Sequence, residues 1–179
     1  AETYKHELVC QRLTKLRPPD IKAAAIDWGH DKEPEARLAY SLKMLSERDD
    51  VDLSIVEEDG FVLSTAHDGI GCSVDGLVGS DGLIEIKCPF TSKNHYRTLV
   101  SKAVPREYKW QVYGNMWVTE REWCDFISFD PRFPPHLQCC VVRVDRDDEI
   151  MNDMAKKLID FATDVETLVD DLTQTMEMA

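Results

Sequence analysis

A short strand with an acid at its centre constrains the fold of this chain more than any other feature. The segment Leu83–Lys87 is apolar around Glu85 and follows a turn signal at Gly79–Gly82. A carboxylate without a partner is costly inside a protein, so a half-buried strand needs a reason to carry one. We expect residues 70–78 and 82–87 to form a hairpin-like pair of strands.

The other elements follow from apolar periodicity and from residues that end helices or make turns. Helices are predicted at about 2–15, 34–46, 91–101, 105–117 and 147–175. Further strands are predicted at 122–129 and 137–144, and as a hairpin of 51–57 with 61–66. Asp59-Gly60 is typical of the tight turn of such a hairpin. This order predicts a single α/β domain over residues 1–179, with a central mixed β-sheet flanked by helices.

The charge of the chain is strongly acidic but uneven. The net charge of −13 argues against a generic nucleic-acid binder, which usually carries a basic excess. Residues 147–179 hold ten acids and two lysines, whereas residues 87–109 hold six bases and one acid. Such a basic stretch is either a solvated helix face or a strip that faces phosphates, and charge alone leaves both interpretations open.

Cysteine spacing and hydropathy bear on the compartment. The six cysteines are Cys10, Cys72, Cys88, Cys124, Cys139 and Cys140. None forms a CxxC pair, so we expect reduced thiols rather than a zinc site or a disulfide framework. No apolar run approaches the roughly 20 residues of a membrane span, and no secretory leader opens the chain. We therefore expect a cytoplasmic protein without a membrane partner.

Asp75, Glu85 and Lys87 are the candidate catalytic group. Glu85 and Lys87 are two residues apart in one strand and so share a face, and Asp75 is expected on the neighbouring strand. Two carboxylates suit a hard divalent cation, and a lysine beside them can position a water at a phosphodiester. An ordinary exposed acid–lysine pair is the alternative, because this spacing alone is common.

Five segments of the chain carry a family resemblance. They are Gly71–Leu77 with Leu83–Ser92, then Trp28–Glu33, Gln111–Thr119 and Phe129–Arg132. Together they resemble the lambda exonuclease, or YqaJ-type viral recombinase, family of the PD-(D/E)XK nuclease superfamily. The resemblance runs from about residue 25 to 145 and implies a restriction-endonuclease-like core.

The resemblance also implies roles for residues at the metal site. Asp75, Glu85 and the main-chain carbonyl of Ile86 would bind Mg²⁺, for which Mn²⁺ is a plausible substitute. Lys87 would orient the attacking water. Glu33 would be a further acid at this site, since the nearby Glu35 falls two residues past the family position.

Other residues are implied to contact the substrate. Gln111 would help to position the nucleophile or the scissile phosphate. Thr91, Ser92, Lys93 and Arg97 would lie near the DNA backbone.

The chain departs from the family pattern in two places. Tyr113 stands where the family has a second glutamine, two residues after Gln111. The family also has an N-terminal segment that holds the 5′-phosphate, and this chain begins at what resembles the helix after it. We therefore expect either that this segment is missing from the chain or that another element does its work, and the 5′-phosphate pocket stays unassigned.

The predicted function is a Mg²⁺-dependent 5′-to-3′ exonuclease that digests one strand of linear duplex DNA to mononucleotides. The resemblance further implies a ring-shaped homotrimer, a single-strand annealing protein as partner, and a phage or prophage origin in a bacterial host. Two alternatives stay open. One is a restriction- or repair-type endonuclease on the same core, and the other is a non-catalytic acidic interaction module.

Overall fold

The computed structural model describes residues 2–16, 23–47, 55–56 and 60–177 of the chain. Within these ranges the helices are α1 (Glu2–Thr14), α2 (Ala24–Glu47), α3 (Ser92–Ser101), α4 (Lys109–Thr119) and α5 (Asp148–Glu177). The strands are β1 (Ile55–Val56), β2 (Phe61–Leu63), β3 (Gly71–Ser73), β4 (Gly76–Val78), β5 (Gly82–Lys87), β6 (Trp123–Phe129) and β7 (Cys139–Asp145). Short 3₁₀ turns at Arg106–Tyr108 and Pro135–Leu137 precede α4 and β7.

Five of these strands form the main sheet, in the order β1-β4-β5-β6-β7. β5 and β6 are parallel, and every other pair in this sheet is antiparallel, so the predicted mixed sheet is confirmed. β5 lies at the centre and is buried along its length up to Lys87, its last residue. A strand covered on both faces is apolar at nearly every position, which matches the sequence around Glu85.

Helices cover both faces of the sheet with two apolar cores. One core joins α2 to β5 through Ala36, Tyr40, Met44, Ile84 and Ile86. The opposite core joins α4 and α5 to β5 and β6 through Val112, Met116, Met151, Leu83 and Phe126. Because successive strand residues point to opposite faces, Glu85 and Lys87 lie on the α4 side of the sheet.

The second helix is longer than predicted. α2 begins at Ala24 and continues through Pro34, where the sequence had suggested a start. A proline inside a helix removes one backbone hydrogen bond. Pro34 is on the exposed side of α2, where water can satisfy the carbonyl that loses its partner, while Ala36 and Tyr40 hold the helix against the sheet.

The predicted hairpin of 51–57 with 61–66 is wrong in its pairing. β1 pairs with β4, whereas β2 pairs with β3 in a separate two-stranded ribbon. Residues 51–54 and 57–59 of this prediction, which include Asp59 of the turn, lie outside the described residues. Strand partners depend on packing across the whole sheet, and a local turn motif gives no information about that packing.

The expected strand at 70–78 is two strands. β3 ends at Ser73 and pairs with β2, whereas β4 begins at Gly76 and pairs with β5. The β4–β5 hairpin itself is confirmed, and Gly79 in its turn has a φ of 55°, which glycine adopts without a steric penalty. The break between β3 and β4 places Asp75 outside regular pairing.

The C-terminal helix is confirmed and packs against α1. Tyr4 stacks on Phe161 with ring centroids 6.0 Å apart, and the Lys5 ammonium lies 2.7 Å from the Asp164 carboxylate. All six cysteines lie within the described ranges and form no disulfide there, as expected. No helix in the described part of the chain combines the length and apolarity needed to cross a membrane.

Candidate active site

Asp75 is held against the end of the central strand. Pairing between β4 and β5 ends with Gly76 opposite Ile84, so β5 extends beyond its partner. The Ile86 N–H donates to Asp75 Oδ2 at 2.6 Å. The Asp75 carboxylate thus accepts a hydrogen bond from a backbone N–H that β4 is too short to reach. This contact holds the Asp75 carboxylate beside Glu85.

Glu85 is completely buried and shares its two oxygens between two partners. Asn115 Nδ2 donates to Oε2 at 2.8 Å. The Lys87 ammonium forms an ion pair with Oε1. The ammonium also lies 5.2 Å from the centre of the Tyr108 ring. The prediction that Glu85 and Lys87 share a face is confirmed by this contact.

The three charged groups perturb one another. Burial raises the pKa of Asp75 above its ordinary value, despite the hydrogen bond it accepts from the backbone and the positive charge of Lys87. Burial, with Asp75 as a second cause, raises the pKa of Glu85 to about 7. Burial acts to lower the pKa of Lys87, but Glu85 and Asp75 outweigh it and leave that pKa raised. The buried Glu85 and the half-buried Asp75 thus share the positive charge of Lys87, and Arg37 also acts on Asp75.

Glu33 lines the same cleft as this group. The cleft has a volume of about 570 Å³, and its lining includes Glu33, Asp75, Ile86, Lys87, Thr91 and Tyr108. Arg37 donates from one nitrogen to Glu33 Oε1 at 2.8 Å and to the Asp75 carbonyl at 2.9 Å. Glu35 is not a cleft residue, and its carboxylate lies 3.9 Å from the Lys32 ammonium. The geometry therefore favours Glu33 over Glu35.

Arg37 and Asn115 are site residues that the sequence analysis did not single out, as is Tyr108 beside Lys87. Arg37 lies one helical turn after Glu33, a spacing at which oppositely charged side chains meet. Asn115 is a buried amide among the apolar residues of α4. The sequence did contain a signal for Asn115, namely a polar residue on an otherwise apolar helix face. A buried amide needs a hydrogen-bond partner, so such a residue points to a polar group nearby.

Gln111 does not line the cleft that contains Asp75 and Lys87. Its exposed side chain faces a neighbouring cavity of about 450 Å³, together with Ser73 and Asn115. Tyr113 lines a third cavity, between α4 and β7. Asn115 also contacts Glu85, but Gln111 itself shows no contact with the catalytic group in the described structure, and its predicted role stays a prediction.

The predicted DNA-contacting residues lie at the start of α3. Thr91 is exposed and lines the cleft, and Lys93 and Arg97 are exposed farther along the helix. Ser92 is half-buried and its side chain hydrogen-bonds Asp130. Three of the four residues thus offer free surface beside the cleft, whereas Ser92 already contacts the protein.

The donor groups of the site fit a hard divalent cation. Asp75 and Glu85 supply carboxylate oxygens, and burial raises the pKa of both because it removes water that would stabilise their charged forms; a bound cation would supply that stabilisation. In the described residues no group of three or more His, Cys, Asp or Glu side chains is placed to hold a metal ion. The Ile86 carbonyl, which the family resemblance implies as a further ligand, stays a prediction.

Comparison with known proteins decides the family. The model of the YqaJ-like viral recombinase domain matches residues 2–122. The chain belongs to the YqaJ-like viral recombinase family. This confirms the family that the motifs had indicated, and it covers the segments that hold Glu33, Asp75, Glu85 and Lys87. No curated protein is significantly similar to the chain.

Solved structures support the YqaJ assignment and the fold. An alkaline exonuclease (LHK-Exo) from Laribacter hongkongensis is 35% identical, with a TM-score of 0.87 over 99% of this chain and 86% of that one. The same exonuclease in complex with dAMP gives 35% identity and a TM-score of 0.86 over the same shares of the two chains. A phage-related exonuclease from Haemophilus somnus 129PT, 17% identical with a TM-score of 0.64 over 98% of this chain and 83% of that one, shares the fold.

Proposed function

We propose that this chain is a Mg²⁺-dependent exonuclease that digests one strand of linear duplex DNA, from the 5′ end, to mononucleotides. The observation that carries the proposal is the convergence of Asp75, Glu85 and Lys87 at one end of β5, with Glu33 in the same cleft. Membership of the YqaJ-like family and the likeness to an alkaline exonuclease support a nuclease that acts on DNA.

Asp75, Glu85 and the Ile86 carbonyl are the groups that would hold Mg²⁺, with Mn²⁺ as a substitute. The N–H and C=O of one strand residue point to the same edge, so the Ile86 carbonyl is expected on the Asp75 side. When bound, the cation lowers the pKa of a coordinated water and neutralises charge on the phosphate. Asn115 fixes the Glu85 carboxylate from behind.

Lys87 is the group that would orient the attacking water. Its ammonium is held by Glu85, and the raised pKa keeps it charged at neutral pH. A fixed ammonium can donate one hydrogen bond to a water and another to a phosphate oxygen. Glu33, held by Arg37, supplies a further acceptor in the cleft.

The DNA backbone would lie along the start of α3. Thr91, Lys93 and Arg97 present a hydroxyl and two positive charges next to the cleft. Phosphate contacts of this kind position a duplex without reading its sequence. Ser92 would act indirectly, through Asp130. Gln111 would contact the strand from the neighbouring cavity.

The proposed assembly is a homotrimeric ring in the cytoplasm of a bacterial host, with a single-strand annealing protein that takes up the 3′ overhang. Leu38, Leu42 and Leu45 are each about 60% exposed on α2. Their spacing of four and three residues places them on one face of the helix. They supply apolar surface of the kind that contact between copies requires.

A labelled linear duplex tests the activity and its polarity. We expect a label at the 5′ end to be released early as a mononucleotide, and a label at the 3′ end to be released late. The rates on duplexes with 5′-phosphate and with 5′-hydroxyl ends should differ. A covalently closed circle is the control, because an exonuclease needs an end. Rapid cutting of the circle would support the endonuclease alternative, and no hydrolysis of any substrate would support a non-catalytic module.

A further inference from the structure

Arg132 is bound to a buried aspartate at the end of β6. Its Nε donates to Asp130 Oδ1 at 2.7 Å, and an Nη donates to Oδ2 at 2.9 Å. Its backbone N–H donates to the same carboxylate at 3.0 Å. Asp130 has no exposed surface. A two-point pair with a buried carboxylate fixes the orientation of the guanidinium as well as its position.

The same guanidinium also holds the segment that follows the catalytic lysine. One Nη donates to the Phe90 carbonyl and the other to the Pro89 carbonyl, both at 3.1 Å. These residues follow Lys87 by two and three positions, and they lead into α3. Arg132 thus satisfies two backbone acceptors at the point where β5 leaves the sheet.

The flat face of the guanidinium contacts α2. Its central carbon lies 4.6 Å from the centre of the Trp28 ring, and Trp28 meets Phe90 edge-on at 6.2 Å. Trp28 precedes Glu33 on the same helix. One side chain therefore contacts three segments, of which two carry Lys87 and Glu33.

We propose that Arg132 is a positioning residue of the active site, an inference that rests on the proposed function. It keeps the segment Cys88–Thr91 and the Trp28 end of α2 together, so that Lys87 and Glu33 hold their places in the cleft. The guanidinium is committed to the protein through its contacts with Asp130, Pro89 and Phe90, and Arg132 does not line the cleft. Lysine cannot replace these contacts, because it has neither the planar fork nor the stacking face.

The chain contains a matched control at the other end of β6. Arg143 Nε donates to Asp125 Oδ1 at 2.6 Å, and an Nη donates to Oδ2 at 3.0 Å. Its guanidinium carbon lies 3.6 Å from the centre of the Trp123 ring. The two-point carboxylate pair and the ring contact match those of Arg132, but neither Arg143 nor these partners line the cleft. Arg143→Lys therefore measures what the loss of such an arrangement costs in stability alone.

Kinetics of Arg132→Lys and Arg143→Lys on linear duplex DNA test the proposal. We expect kcat of Arg132→Lys to fall about 10- to 100-fold, as small misplacements of catalytic groups do, with KM changed less than about threefold. Arg143→Lys should lower the unfolding temperature but leave kcat within about threefold of the wild type. An equal fall of kcat in both variants, or a rise of KM in Arg132→Lys without a fall of kcat, would overturn the proposal.

Amide hydrogen exchange gives a second measurement that needs no activity. Exchange at residues 88–92 should be about tenfold faster in Arg132→Lys and unchanged in Arg143→Lys. Unchanged exchange at this segment would overturn the proposal even if the wild type digests DNA. If the wild type is inactive, the proposed function fails. The exchange measurement still tests whether Arg132 keeps the segment Cys88–Thr91 and the Trp28 end of α2 together. Should Arg132→Lys fail to fold, Trp28→Leu removes the ring that the Arg132 guanidinium contacts on α2. The same faster exchange at residues 88–92 is expected in that variant.

Discussion

Glu85 has no exposed surface, and each of its carboxylate oxygens faces a nitrogen of another side chain. A buried carboxylate is stable only when its surroundings replace the water it has lost. Lys87 supplies charge and Asn115 supplies a neutral donor, which together hold the group in one orientation. The acid was visible in the sequence as an exception within an apolar strand, whereas its amide partner on α4 was not.

Asn115→Ala tests the importance of this amide. Removing the donor frees Glu85 to rotate, so we expect the half-saturating Mg²⁺ concentration to rise about 10- to 100-fold, as it does when groups that support metal ligands are removed. The measurement is DNA hydrolysis against Mg²⁺ concentration. Asn152→Ala, an exposed asparagine on α5, is the control and should behave as the wild type. An unchanged Mg²⁺ dependence in Asn115→Ala would contradict the assigned role.

At the scale of the elements, the sequence predicted what depends on local pattern. The helical periodicity of α5 and the glycines of the turn before β5 were sufficient to predict these two elements, because each pattern involves only residues that are close in the sequence. The start of α2 and the partner of β2 were not predictable in this way. Both depend on tertiary packing, which keeps α2 helical on both sides of Pro34 and pairs β2 with β3. The catalytic acids were predictable by motif, whereas the contact of Arg37 with Glu33 was not, because it needs the unpredicted first part of α2 that carries Glu33.

Close packing at the start of β5 gives a test of the fold that is independent of function. A methyl group added at Gly82 would meet the Trp123 ring, whereas one added at Gly114 in α4 would meet no atom within 4 Å. We expect Gly82→Ala to lower the free energy of unfolding by about 1–3 kcal/mol, because the core must shift. Gly114→Ala should raise it by about 0.5–1 kcal/mol through helix propensity. Urea unfolding measures both, and equal effects would contradict the described packing.

At the scale of the whole molecule, acidic and basic charge are segregated. The net charge of −13 is concentrated in the C-terminal segment that forms α5, whereas the basic stretch begins at Lys87 and continues along α3. Overall acidity and local DNA binding are therefore compatible. An acidic exterior should also discourage DNA from binding away from the cleft.

Salt dependence of duplex binding tests this segregation. In a Lys87→Ala background, which prevents digestion, the logarithm of the affinity should fall linearly with the logarithm of salt concentration. Lys93→Ala with Arg97→Ala should reduce that slope by about 2, one unit for each phosphate that the protein no longer neutralises. Lys156→Ala with Lys157→Ala, on acidic α5, should leave it unchanged. Equal slopes in both double variants would show that α3 does not face the phosphates.

Single-turnover hydrolysis of a linear duplex by Lys87→Ala tests the central claim most directly. The exposed Lys157→Ala is the matched control, because Lys157 pairs only with its neighbour Asp153 in the described structure. We predict that Lys87→Ala still folds, with lower stability because Glu85 loses its ion pair. It should be slower by about 10²- to 10⁴-fold, the usual contribution of a group that handles the attacking water. Lys157→Ala should match the wild type, and chelation of Mg²⁺ should stop the reaction in both. Full activity in Lys87→Ala would contradict the account.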